Sequence, residues 1–134
     1  LQESRVVFSG DLVVRGASVM IHASRGGDLG MYLESLERVA RLEPSRLLPA
    51  HGPDIEDPAA VLRRQVEHRL MRERQVVAAL SSGLDTVPAI ADSIYDGLAR
   101  TLVGAARETV QAHLEKLARE GRATHEDGRW RPTR

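Results

Sequence analysis

The sequence predicts two units in series: an α/β piece over residues 1–57 and a small helical unit closed by a β-hairpin over residues 83–134. A connecting helix over 58–82 joins them. Three observations carry this. Two short apolar runs, Arg5-Val6-Val7-Phe8 and Arg46-Leu47-Leu48, flank a stretch of helical periodicity, the pattern of a parallel β-α-β arrangement. Asp57-Pro58 is a helix cap followed by proline at the first helical position. Asp127-Gly128, between residues 122–126 and 129–131, is a preferred two-residue hairpin turn.

The elements follow in order. After the first strand, residues 12–14 and 18–21 read as loop or short extended segments. Gly26-Gly27 breaks the chain, and Asp28 suits the N-cap of a helix running to about Leu42. Leu29, Leu33, Leu36, Val39 and Ala40 recur at helical spacing and predict one packed face, and Pro44 ends the element. The next helix is expected from Pro58 to Ser81, with Leu62, Val66, Leu70, Val77 and Leu80 inward. Arg63, Arg64, Arg69, Arg72 and Arg74, with Glu67 and Glu73, are expected on a solvated face of Glu–Arg pairs.

Thr86 is a cap for a short helix containing Val87, Ile90, Ala91, Ile94 and Tyr95. A longer helix, from about Gly104 to Glu120, has the inner face Val103, Ala106, Val110, Leu114 and Leu117, and Gly121 closes it. Helix, helix, helix, hairpin is the order of a winged helix, with the hairpin as the wing.

Composition narrows function. The 134 residues include 19 basic and 19 acidic ones, so no bulk attraction to nucleic acid or membrane is expected. Without cysteine, disulfide and thiolate chemistry are excluded, which fits a reducing, cytoplasmic setting. No apolar run approaches the roughly 20 residues needed to span a bilayer, so no membrane partner is expected.

The chemistry-bearing motifs are Phe8-Ser9-Gly10-Asp11 and Leu47-Leu48-Pro49-Ala50-His51-Gly52-Pro53. Each takes an apolar strand to a small residue beside a metal-ligating type. In a parallel sheet this puts Asp11 and His51 past strand ends on one edge, where open α/β sheets bind ligands. A carboxylate and an imidazole there suit a zinc-like ion, although two donors alone do not complete a zinc site. The bland alternative is a turn-capping aspartate and a loop histidine. His22, His68, His113 and His125 have no partners at metal spacing, and His113 is expected to be half exposed.

The order Gly10-Asp11, amphipathic helix, Pro49-Ala50-His51-Gly52-Pro53 resembles the C-terminal half of a metallo-β-lactamase-fold hydrolase, an αββα sandwich. Residues 65–75, Gln-Val-Glu-His-Arg-Leu-Met-Arg-Glu-Arg-Gln, are similar to the following helix in the lactamase-β-like protein 2 branch, which carries a winged-helix tail. The resemblance implies that Asp11 bridges two divalent metals, zinc being the expected one, and that His51 ligates one of them. It implies activated water attacking an ester, thioester, amide or phosphodiester, on a small molecule or RNA. The family's His-x-His-x-Asp-His run does not occur here, so the chain is read as the C-terminal part of a longer hydrolase. The fragment alone is expected to be inactive and to lose the metal, with the N-terminal remainder of the protein as its natural partner. The other class of function is a non-catalytic winged-helix interaction or nucleic-acid-binding module.

From Gly83 to Arg134, eight basic residues face eight acidic ones, and the longer helix carries Glu108 and Glu115, so duplex DNA is not an expected partner. The one suggestive patch is Arg129, Trp130 and Arg131, near Arg134, an arginine–aromatic mix suited to single-stranded RNA. Packing of Trp130 beneath the wing is the competing expectation. Association of the apolar face at Leu62, Val66 and Leu70 with the protein's own catalytic domain, or with a second copy as a homodimer, is a further expectation.

Overall fold

The computed structural model describes residues 5–10, 12, 21, 23–50 and 52–133. The chain divides into two compact units, Leu1–Val19 with Gly30–Arg69, and Met20–Leu29 with Leu70–Arg134.

In the first unit, β1 (Val6–Gly10) pairs in parallel with β2 (Arg46–Pro49), in the register Val6 to Arg46 and Phe8 to Leu48. Val6, Val7 and Phe8 favour extended backbone in β1, and a parallel pair needs a crossover, supplied by α1 (Leu29–Arg41). Glu43, in the left-handed region at φ 47°, and Pro44 end that helix, and the amide of Glu43 donates to Ala40 O. Leu36, Leu47 and Ile55 are fully or nearly fully buried. Alternate side chains of β1 face solvent, and Phe8 is 82% exposed.

The helix α2 (Pro58–Ser81) begins where Asp57-Pro58 predicts. The Asp57 carboxylate lies 3.5 Å from the Ala60 amide, the N-cap arrangement. It ends in a Schellman motif: Gly83 at φ 102°, its amide to Leu80 O, and the Leu84 amide to Ala79 O.

Two readings of this helix need correction. Leu70, expected inward, is 39% exposed, while Val76 is fully buried. Arg69 and Glu73, expected on the solvated face, are only 4% and 6% exposed. The inward stripe is Leu62, Arg69, Glu73, Val76 and Leu80, a continuous helical spacing with two charged members.

The second unit has the winged-helix order: α3 (Val87–Ile94), a 3₁₀ turn at Arg100–Leu102, α4 (Val103–Arg119), β3 (Ala123–Glu126) and β4 (Arg129–Pro132). Thr86 Oγ1 accepts from the Ala89 amide at 3.3 Å, so the predicted cap forms. β3 and β4 pair antiparallel across Asp127 and Gly128, whose φ values of 51° and 73° match a type I′ turn. Val76, Leu80, Ile90, Val110, Leu114, Leu117 and Trp130 form one closed core. Among the described residues, no helix is long and apolar enough to cross a membrane.

Candidate metal centre at the strand ends

The two motifs converge through the main chain. The last pair in register is Gly10 with Pro49, and the Ala50 amide donates to Gly10 O at 2.8 Å. The sheet is irregular between Phe8 and Gly10, and Gly10 takes φ 58°, a conformation disfavoured for most L-residues. The Leu12 amide then donates to Ser9 O at 3.1 Å and closes a tight turn. Asp11 and His51 themselves lie outside the described residues, as does His22. Their chain neighbours leave adjacent ends of two parallel strands, the edge where such sheets bind ligands.

The loop carrying position 51 is held at its base. Leu47 and Ile55 exchange two main-chain hydrogen bonds, each 2.9 Å, and both side chains are buried. Gly52, at φ 86°, turns the chain between them. Arg46 and Asp54 stand 4.0 Å apart at the same base.

A side chain from α1 braces the other loop. The Tyr32 hydroxyl donates to Leu12 O at 3.0 Å. The Arg69 guanidinium lies 5.3 Å from the centre of the Tyr32 ring, within cation–π range. Burial raises the Tyr32 pKa, against the opposing pull of Arg69, so the phenol stays protonated at neutral pH and remains a donor. Sequence reasoning missed both residues. A tyrosine on an otherwise apolar helix face was the available signal for one, whereas Arg69 sits in an arginine-rich stretch that gives no hint of burial.

The chemistry of the donor set fits a divalent cation, since one carboxylate oxygen and one imidazole nitrogen are both accepted ligands. Among the described residues, no group of three or more histidine, cysteine or acidic side chains gathers at metal-binding distance.

Two other sequence expectations have definite places. His113, expected to be half exposed, is fully buried on α4, because the inner face of that helix is wider than its apolar residues alone suggest. It stands 3.7 Å from Glu73, whose carboxylate also lies 2.9 Å from Lys116 and 3.6 Å from Arg122. Burial would push the Glu73 pKa up, but the adjoining His113 and Lys116, with the Lys116 charge, hold it at about 2.

In the wing, Trp130 is 5% exposed, its ring stacks on His125 at 4.3 Å, and its amide donates to Asp85 O at 2.7 Å. The indole is therefore committed to packing. Arg129 pairs with Asp85 at 2.8 Å, and Arg131 is exposed. Arg134 lies outside the described residues.

Comparison with known proteins agrees with this architecture. Residues 1–51 match the metallo-β-lactamase superfamily, and residues 86–130 match the β-lactamase associated winged helix domain. The chain is 30% identical over 122 residues to a β-lactamase-like protein 2 homolog of Caenorhabditis elegans, covering 90% of this chain and 40% of that protein. It is 33% identical over 135 residues to the lactamase-like protein adaB of Aspergillus niger, covering 90% and 41%. A metallo-β-lactamase family protein from Thermus thermophilus superposes with a TM-score of 0.78 at 22% identity, over 98% of this chain and 43% of that one, which speaks for the fold alone. The chain thus spans about two fifths of the length of these curated relatives. With a parallel strand pair and crossover helix leading into a winged helix, and with both segments matched, the chain belongs to the metallo-β-lactamase superfamily, as a fragment of that fold followed by its associated winged helix.

Proposed function

We propose that the whole protein is a metal-dependent hydrolase in which Asp11 and His51 are metal ligands, Asp11 as a carboxylate shared between two cations. The observation that carries this reading is the Ala50-to-Gly10 hydrogen bond, which joins the main chain immediately before both residues at one edge of the sheet. The superfamily match supports the same reading.

Asp11 and His51 would hold divalent cations, zinc being the ion the family resemblance implies, and these would supply a water nucleophile near neutral pH. The protein's part is to hold the donors. A carboxylate has two oxygens and one negative charge, so Asp11 can serve two cations and offset their repulsion. His51 would bind as a neutral imidazole. Gly10, at φ 58°, and Gly52, at φ 86°, turn the chain beside the two donor positions. The bonds open to such a nucleophile are those of an ester, thioester, amide or phosphodiester.

The test is Asp11→Ala in the full-length protein, assayed for bound zinc and for turnover of a chromogenic phosphodiester, a thioester and a β-lactam. The variant should lose bound metal, and any turnover shown by the parent should fall to background. Parental metal content and turnover in the variant would overturn the assignment.

A further inference from the structure

We propose that Tyr32, seated by Arg69, is a positioning residue for the Asp11 ligand: its hydroxyl fixes the main chain just past Asp11 through the carbonyl of Leu12. The inference rests on the reading of Asp11 as a metal ligand and adds a supporting layer to it.

Three hydrogen bonds bracket position 11. Before it, Gly10 O accepts from the Ala50 amide at 2.8 Å; after it, the Leu12 amide reaches back to Ser9 O at 3.1 Å. The third is the Tyr32 hydroxyl on Leu12 O at 3.0 Å. The first two belong to the backbone, while the third comes from a side chain and can be removed by substitution.

The donor is itself well held. Tyr32 is 8% exposed and Arg69 is 4% exposed, and the guanidinium covers the ring face. Burying an arginine is costly, and the aromatic face offsets only part of that cost. The two residues come from α1 and α2, so the brace ties both helices to the loop after β1. A loop that must present a carboxylate to a cation gains affinity when its backbone is already arranged. Groups that orient a ligand are commonly worth tenfold to a hundredfold in metal affinity.

Packing alone would account for a buried tyrosine, so the test must separate the two roles. In the full-length protein, Tyr32→Phe keeps the ring face that the guanidinium covers but deletes the hydroxyl, with its bond to Leu12 O and its hydrogen bond from Arg69. Zinc affinity is measured by competition with a chromophoric chelator, alongside the melting temperature of the metal-free protein and amide exchange over residues 9–12. The expected result is affinity weakened by about tenfold and faster exchange in that loop. Leu114→Ala, which weakens the winged-helix core, should lower the melting temperature and leave affinity unchanged. Should Tyr32→Phe fail to fold, Arg69→Lys decides instead, because it keeps the charge, loses the planar stack and should weaken zinc binding in the same direction. Unchanged zinc affinity in a folded Tyr32→Phe, or in Arg69→Lys where that variant decides, overturns the proposal. Asp11→Ala keeps the two ideas apart. If it loses zinc while Tyr32→Phe does not, only the positioning role fails; if it retains zinc, the ligand assignment fails.

Discussion

The chain has one phenylalanine and one tryptophan, and they meet opposite fates. Phe8, on β1, is 82% exposed, whereas Trp130, on the wing, is 5% exposed within a closed core. The two units differ in the same sense. The winged unit buries its apolar surface against itself through three helical segments and a hairpin. Among the described residues the α/β unit has a two-stranded sheet, and one face of β1 carries its largest side chain into solvent. Order in that unit comes more from polar and main-chain ties: the Leu47–Ile55 bridge, the Ala50–Gly10 bond and the Tyr32–Leu12 bond. Hydrophobic burial sums over many contacts, whereas a few specific hydrogen bonds fix local geometry. In this chain, which spans about two fifths of the length of its relatives, the contrast is between a closed core and a sheet whose β1 face is open.

The largest expected effect breaks the core. Leu114 is fully buried among Val76, Ile90, Val110 and Leu117. Leu114→Ala should cost about 3–5 kcal/mol, the transfer and cavity cost of a well-packed leucine. Denaturant melts report it, and amide exchange should place the loss in α3, α4 and the hairpin rather than in β1 and β2. A loss below about 1 kcal/mol would mean that the site collapses without leaving a cavity.

A smaller effect comes from the charged members of the same unit. Glu73 has its pKa depressed to about 2 from 4.5, so its ionised form is favoured by folding. That stabilisation is fully present above the unfolded value of 4.5 and is lost as pH falls toward 2. Lys116 shifts the other way. Burial would lower its pKa, but hydrogen bonds to Glu120 and Glu73 raise it above 10.5, so its contribution holds below that pH and is lost as pH rises through the folded value. A tenfold change in a proton affinity corresponds to roughly 1.4 kcal/mol. On that scale Glu73→Gln should cost about 3 kcal/mol at pH 7 and flatten the fall in stability between about pH 5 and pH 2. Urea melts across that range check it. An unchanged acid slope would show that other carboxylates carry the acid sensitivity.

These two sites also mark how far the sequence could be read. Asp57-Pro58 and Ser82-Gly83 bound α2 at the predicted residues, and Thr86, Gly121 and Asp127-Gly128 mark the winged unit, because caps and turns are local chemistry. The parallel strands and the edge where Gly10 meets Ala50 were legible for the same reason. Glu73 and Arg69 were not. Hydropathy assigns a charged residue outward, and the partners that let these two turn inward stand on other helices: Tyr32 on α1, and His113 and Lys116 on α4. His113 follows the same logic, since its burial depends on the carboxylate that α2 brings beside it. A sequence displays neighbours at three- and four-residue spacing, whereas pairs separated by about forty residues emerge only once the helices pack.

The smallest expected effect sharpens the comparison from the open side. Phe8 loses little contact with water on folding, so its replacement forfeits almost no transfer free energy. Phe8→Thr also keeps a residue that favours extended backbone. The stability of this chain should therefore change by no more than about 0.5 kcal/mol, the range of ordinary surface substitutions. Amide exchange along β1 should stay as it is, because the ladder to β2 uses main-chain groups that the side chain does not touch. The paired measurement is a melt of the variant beside Leu114→Ala under the same conditions. A loss of about 2 kcal/mol or more at Phe8 would be the size expected for removing a buried aromatic. It would mean that the outer face of β1 is covered in solution, and the contrast between an open edge and a closed core would then have to be redrawn.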